Sequence, residues 1–400
     1  MTTTSAQELD RLVALPETAA RPYDVYASLR DAHPVFFSET LDCWLVTRHV
    51  DALAVLENTE TFSSAHRVRR DAVAPEVWEA FGGFDGFFWS DPPAYDERRR
   101  AWTSAFKPRL KGLAEVVARV TAELLDSVRE VETFDVVSAL AFPLPATVVF
   151  ELLGVPPSDR DLFRRIATTL IQGAGPPAAA AMDEAAAWLR TFLVERQRDP
   201  RDDILSDLVA GLPPVEELDP IVLRSEIVDI VHFLLAGHET TTSAITSGAL
   251  VLLERPEARE RFLRDRAVRS RAVEEILRFE SPLQFVERRV AAPTTLAGCE
   301  LAAGSTVRVV IGSANRDERV FERPGELQID RAPNPHLAFG HGCHLCLGAP
   351  LARLEIPIAL EALLGGTPSL QLACGTDELT WRPNAMFHAV EALPVVRTTR

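Results

Sequence analysis

The chain has 400 residues, 47% of them hydrophobic, with a formal net charge of -16. That length can bury a large core, while the acidity excludes general binding to nucleic acid, because no polyanion is drawn to such a surface. No segment approaches the roughly 20 uninterrupted apolar residues of a membrane span.

In chain order, the amino-terminal MTTTSAQELDRL predicts neither a signal peptide nor a membrane anchor. PYDVYASLR predicts a short helix, followed by strands at Val35 to Phe37 and Trp44 to Thr47, then a second helix. Apolar residues at three- and four-residue intervals predict helices at Leu113 to Val128, Phe142 to Leu153, Leu162 to Gln172 and Met182 to Arg196. The alanine-rich stretch from Ala178 to Ala187 reads as part of the last of these, and a longer helix is expected from Pro220 to Leu253. After Pro282 the texture changes to short strands, VERRV, TLAGCEL and STVRVVIG, before a final helix beginning near Leu347. No linker, repeat or low-complexity block cuts the chain, so one domain over residues 1–400 is expected, mainly α with a minor β-rich part.

The five cysteines, Cys43, Cys299, Cys343, Cys346 and Cys374, are odd in number and irregularly spaced. A disulfide framework is therefore not expected, and a cytoplasmic location is. The most informative stretch is Phe339-Gly-His-Gly-Cys-His-Leu-Cys-Leu-Gly348, set between a proline-bearing segment and a helix start. Gly340 and Gly342 permit the positive backbone dihedrals of a tight loop. Such a loop aims N–H groups at a sulfur ahead of a helix whose dipole also favours an anion. A thiolate held this way can bind iron. The alternatives are a structural cysteine or a zinc site, although no second Cys or His pair stands at zinc spacing.

Three further motifs precede it. In Leu234-Leu-Ala-Gly-His-Glu-Thr-Thr-Thr242, Ala236 and Thr240 share a helix face, and Gly237 removes a side chain where something flat can pack. The alternative there is a kinked core helix whose threonines bond back to their own backbone. In Arg271-Ala-Val-Glu-Glu-Ile-Leu-Arg-Phe279, Glu275 and Arg278 are three apart, a spacing that usually gives a solvated pair of small worth. Asp91-Pro-Pro-Ala-Tyr-Asp-Glu-Arg-Arg-Arg100 opens another helix.

F-G-x-G-x-H-x-C-x-G followed by L-A-R-x-E resembles the signature of the cytochrome P450 family of haem-thiolate monooxygenases, and the other motifs stand in that family's order along nearly the whole chain. The resemblance implies a mainly helical, triangular fold around haem b (iron protoporphyrin IX), with Cys346 on the iron, Phe339 over the thiolate and Gly340 and His344 in the cofactor loop. It implies that Glu239 and Thr240 form the acid-alcohol pair relaying protons to reduced dioxygen, with Ala236 and Gly237 beside the haem. Arg289 and Arg99 match propionate-binding arginines, Tyr95 stands where the family has histidine, and a phenol can donate the same bond. Glu275 and Arg278 match a structural pair that Arg331 completes, and Arg316 a structural turn. The pocket-wall positions are Phe84, Phe87 and Phe88, in an aromatic stretch from Phe81 to Trp89 with Trp78 before it. Leu235, Ala236, Phe285, Val286, Met386 and Phe387 join them, with a lid at Ile171 to Pro177.

The substrate class implied is a medium-sized apolar, aromatic or polycyclic molecule oxidised with O2, while His66-Arg-Val-Arg-Arg70 reads as solvated surface. With no flavin or nicotinamide fingerprint in the chain, two electrons must come from outside, from a ferredoxin-type donor with a ferredoxin reductase. Arg98, Arg100, Lys107, Arg109 and Lys111 would make its basic patch. Competing readings are an oxidative coupling enzyme on the same fold and a haem protein that only binds or senses a ligand. The acid-alcohol pair argues against a dedicated peroxide user.

Overall fold

The computed structural model describes residues 5–15, 18, 20–65, 86–172, 176–366, 369–382 and 386–398. The chain runs α1 (Ala6–Val13), α2 (Tyr23–Ala32), β1 (Val35–Ser38), β2 (Cys43–Val46), α3 (His49–Glu57) and β3 (Phe62–Ser63). It continues with α4 (Ala94–Phe106), α5 (Leu113–Ser127), β4 (Thr133–Asp135), α6 (Pro143–Leu153), α7 (Arg160–Gln172) and α8 (Pro176–Arg198). Next come α9 (Ile204–Ala210), α10 (Pro220–Leu253), α11 (Pro256–Arg264), α12 (Arg266–Phe279), β5 (Val286–Val290), β6 (Thr294–Leu296) and β7 (Cys299–Leu301). Last are β8 (Thr306–Val309), α13 (Ile311–Ala314), α14 (Ala349–Leu364), β9 (Ser369–Leu372) and β10 (Pro394–Thr398).

The chain divides into two compact units, each visited more than once: residues 1–63, 117–144 and 239–400 form the first, and residues 64–116 and 145–238 the second. The first unit carries the β structure. Among the described residues its main sheet has the order β1-β2-β8-β5-β3, with β2 and β8 parallel and the other pairs antiparallel. Val46, Val307 and Val309 of this sheet pack with Ala52 and Val55 of α3 and with Leu337 in one core. The single β-rich piece expected at TLAGCEL is a hairpin, because Ala297 (φ 47°) and Gly298 (φ 84°) reverse the chain between β6 and β7. Both central residues of such a two-residue turn need positive φ. A smaller sheet, β4-β10-β9, and helix α1, capped by the Ser5 hydroxyl accepting the Glu8 N–H at 3.2 Å, were not expected from periodicity.

In the first unit the final helix, α14, packs on α12 and reaches α10, where a Cβ at Gly248 would stand 2.8 Å from Leu360. That close approach needs the glycine. From Thr241 to Leu252 α10 is buried almost all round. Its hydroxyls are accommodated by bonds such as Thr246 Oγ1 to the Thr242 carbonyl at 2.8 Å, the intrahelical satisfaction expected of buried threonine. In the second unit, Trp102 of α4 stacks on Phe233 of α10 at 4.9 Å, and Phe106 meets the same ring edge-on at 5.8 Å.

Candidate active site

The cysteine loop lies in the first unit. Gly340 (φ 72°) and Gly342 (φ 71°) adopt the left-handed conformation, and a Cβ on Gly342 would come within 2.9 Å of the Leu56 carbonyl. The Cys346 N–H donates to the Phe339 carbonyl at 2.9 Å, closing the loop and leaving the thiol side chain exposed just ahead of α14. Phe339 is held from behind. The Arg353 guanidinium lies 4.5 Å from its ring centroid and donates twice, at 2.8 Å, to Glu274, which also meets His336 at 3.0 Å. Burial alone would raise the Glu274 carboxyl, yet these hydrogen bonds bring it down to about 2. His344 is half-buried in the same loop.

The helix motif falls within α10, which is α-helical from Pro220 to Leu253 without a break. Glu239 is 1% exposed and Thr240 half-buried. Glu239 forms an ion pair with Arg382, a residue that the sequence reading passed over. Burial raises the Glu239 carboxyl and Arg382 opposes that rise. Residues 381–382 are joined to residues 389–390 by the Arg382 N–H donating to the Ala389 carbonyl at 2.9 Å and by the Trp381 bridge to Val390. Phe387 bridges to Leu283, and the Gln284 N–H donates to the Met386 carbonyl at 2.8 Å. The segments containing Phe285 and Val286 and containing Met386 and Phe387 are thereby brought together. Phe285 is covered by the Arg308 guanidinium at 4.5 Å.

Arg289 projects from β5, half-buried, and its Nη1 donates to Thr306 Oγ1 at 3.0 Å. Glu275, Arg278 and Arg331 meet in the interior, with Arg278 at 2.7 and 2.8 Å and Arg331 at 3.0 Å from the carboxylate. Glu275 and Arg278 are 0% exposed, which rules out a solvated surface pair. Arg316 donates to the Phe279 carbonyl at 3.1 Å and pairs with Glu280 at 3.1 Å.

In the second unit the Arg99 guanidinium donates to the Tyr95 hydroxyl at 3.3 Å, so these two candidates do meet. The aromatic stretch is anchored by Asp229 of α10, which accepts the Phe87 N–H at 2.8 Å and pairs with Arg98 at 2.7 Å. Phe87 is 1% exposed and packs on Phe88, Tyr95 and Trp102, so its side chain belongs to an aromatic core, while Phe88 faces His232. Leu235 lines a small apolar cavity with Leu153, Phe163, Leu189 and Ile230. Ala236 is exposed on α10 between half-buried neighbours. The close approach at Gly237 is made by Val149, to which a Cβ would stand at 3.1 Å. Two arginines of the expected basic patch are neutralised: Arg98 by Asp229 and Glu226, and Arg109 by Asp202 and Asp207. Arg100, Lys107 and Lys111 are exposed. Phe84, Phe81, Trp78, Asn384 and the cluster at residues 66–70 lie outside the described residues, as does part of the 171–177 lid.

These groups fit a haem. In the first unit the Cys346 thiol is exposed in a glycine-shaped loop before a helix, with Cys343 also exposed in that loop, and in the second unit Ala236 is exposed on α10. Arg289 and His344 in the first unit, and separately the Tyr95–Arg99 pair in the second, are of the chemistry that carboxylates bind. Zinc would need further ligands, and among the described residues no cluster of three His, Cys, Asp or Glu is placed to hold a metal ion. No helix among the described residues is long and apolar enough to cross a membrane.

Comparison with known proteins agrees. The cytochrome P450 family profile matches residues 180–365. The polyketide biosynthesis cytochrome P450 PksS of Bacillus subtilis is 31% identical over 94% of this chain and 95% of its own. The vitamin D3 dihydroxylase of Streptomyces griseolus is 35% identical over 98% and 99%. The crystal structure of CYP109E1 from Bacillus megaterium in complex with testosterone superposes with a TM-score of 0.85 at 32% identity, covering 96% of this chain and 100% of that one. Loop, helices and relatives converge, and the chain belongs to the cytochrome P450 family of haem b monooxygenases.

Proposed function

We propose that this monooxygenase takes two electrons from a ferredoxin-type donor with its reductase and inserts an oxygen atom from O2 into a medium-sized apolar small molecule. The haem, held by Cys346, supplies the oxygen activation. Arg289, His344, Arg99 and Tyr95 are assigned to hold its propionates, and Phe339, braced by Arg353, to shield the sulfur. Glu239 and Thr240 hold and pass the protons that oxygen chemistry consumes. The apolar side chains of Phe285, Val286, Met386 and Phe387 exclude water and orient the substrate.

The observation that carries this reading is the buried acid Glu239 next to a helix hydroxyl in an unbroken α10, beside joined apolar wall segments. A polycyclic apolar substrate is supported by the testosterone held in the CYP109E1 structure. The test begins with a screen of such compounds, testosterone included, for a low-spin to high-spin shift of the ferric Soret band. Consumption of reduced nicotinamide through a surrogate ferredoxin and reductase is then measured with the best ligand. A product heavier by one oxygen atom is expected, and Thr240→Ala or Glu239→Gln should cut its yield by about 10²-fold while keeping the Soret shift. Ligand shifts without product in the unmodified enzyme would turn the assignment towards a sensor.

A further inference from the structure

Glu239 is the acid of the relay proposed above, and what surrounds it is specific to this chain. Residues 381–382 and 386–390 touch one face of α10 at two points a helical turn apart. At one end Arg382 pairs with Glu239, and at the other the Ser243 hydroxyl donates to the His388 carbonyl. Residues 239 and 243 are four apart, so both contacts lie on the same stripe of the helix. The Arg382 N–H to Ala389 bond locks the two arms to each other. The far side is also fixed. The His388 N–H donates to the Pro282 carbonyl at 2.9 Å, its ring stacks on Trp381 at 4.2 Å, and its Nε2 meets the half-buried Glu280 at 3.1 Å. Glu280 is held in turn by Tyr23 at 2.8 Å and Arg316 at 3.1 Å.

Arg382 is thus tied through Ala389 to residues 386–390, which carry Met386 and Phe387. Its side chain is 23% exposed against 2% for Glu239, so the pair has one buried and one accessible member. We propose that Arg382 is a positioning residue: it holds Glu239 as a carboxylate on the α10 face and links that carboxylate's charge and orientation to residues 386–390.

The linkage has a sign. Burial is the largest influence on the Glu239 carboxyl and favours the proton, while the charge and hydrogen bond of Arg382 favour the anion. Among the described residues of this contact, the other titratable side chain is His388, which is turned to Glu280. Removing the guanidinium leaves burial unopposed, so Glu239 should keep its proton to higher pH, by about one to three pH units for the loss of an adjacent opposite charge.

The experiment needs no substrate. In haem-loaded ferric protein, the infrared band of protonated Glu239 is isolated as the difference between each protein and its Glu239→Gln counterpart, and followed from pH 5 to pH 9. Arg382→Gln should move the midpoint up, and Arg382→Lys, which keeps a charge on a shorter reach, should return it towards the parent value. An equal midpoint in all three proteins overturns the proposal. Should Arg382→Gln fail to take up haem, Arg382→Ala, which also removes the charge, is compared with the parent, with an unchanged midpoint again overturning the proposal. The acid limb of nicotinamide consumption should move with the infrared midpoint. The inference rests on the relay reading only for this last step. If Glu239→Gln leaves turnover intact, the relay reading fails, and the infrared shift still decides the positioning role.

Discussion

Both carboxylate oxygens of Glu355 are buried in α14 with no hydrogen-bond partner among the described residues. This glutamate closes the L-A-R-x-E run that follows the cysteine loop, and burial pushes its carboxyl up from the ordinary 4.5 to about 8. A folded value above the unfolded one means the fold favours the neutral acid. Its contribution is fully present below about pH 4.5 and is lost as pH rises through about 8. Across that window stability should fall by about 1.4 kcal/mol per pH unit from this group alone. Glu355→Gln keeps the volume and removes the ionisation, so its unfolding free energy should be flatter between pH 5 and pH 8. Urea denaturation of the haem-loaded proteins at those two values checks it, and parallel pH dependences in parent and variant refute it.

Where Glu355 stands alone, the Glu275 carboxylate of α12 is saturated by Arg278, Arg331 and the Gln328 N–H at 2.8 Å. Arg278 spends its remaining donors on the carbonyls of Asn315, Pro324 and Glu326, so the pair pins the irregular segment after α13 to α12. Removing one partner leaves a buried charge under-compensated. Arg331→Met should therefore cost about 3–5 kcal/mol and weaken haem retention, since residues 322–334 lead into the cysteine loop. Urea unfolding together with Soret absorbance after gel filtration measures both, and a loss below about 1 kcal/mol would remove Arg331 from the brace. At this scale the sequence was readable wherever a pattern repeats. The helix expected at Leu113 to Val128 is found at Leu113–Ser127, and the long one at Pro220–Leu253 matches at both ends. Strand β4 was not readable, because Thr133–Asp135 is a short segment inside helical surroundings that becomes a strand only by pairing with Pro394–Thr398, far along the chain. Arg382 was invisible for a related reason: one arginine in a loop has no period, and its meaning comes from a carboxylate on another element. The cysteine loop was legible because glycines, cysteine and helix start are contiguous. The neutralisation of Arg98 and Arg109 was not, because their acidic partners lie on other helices.

For the whole molecule, the formal charge of -16 bears on the electron donor. The acidic ferredoxin proposed above would be repelled by the chain as a whole and attracted only by a local patch, of whose expected members Arg100, Lys107 and Lys111 are exposed. The two forces have different reach. At about 0.01 M salt the Debye length is about 30 Å, so the net charge is felt before contact, while at about 0.15 M it is about 8 Å and mainly nearby charges act. Reduction of the haem by ferredoxin should therefore pass through a maximum as salt rises, first because long-range repulsion is screened and then because the patch is screened too. Reversing all three charges to glutamate should abolish the maximum, leaving a slower rate that only rises with salt, with the largest deficit, about tenfold or more, near the parent's optimum. Stopped-flow reduction across that salt range separates the cases. A triple variant that follows the parent's curve would place the donor elsewhere on the surface, and a parent rate falling steadily from the lowest salt would mean that the patch outweighs the net charge at every distance.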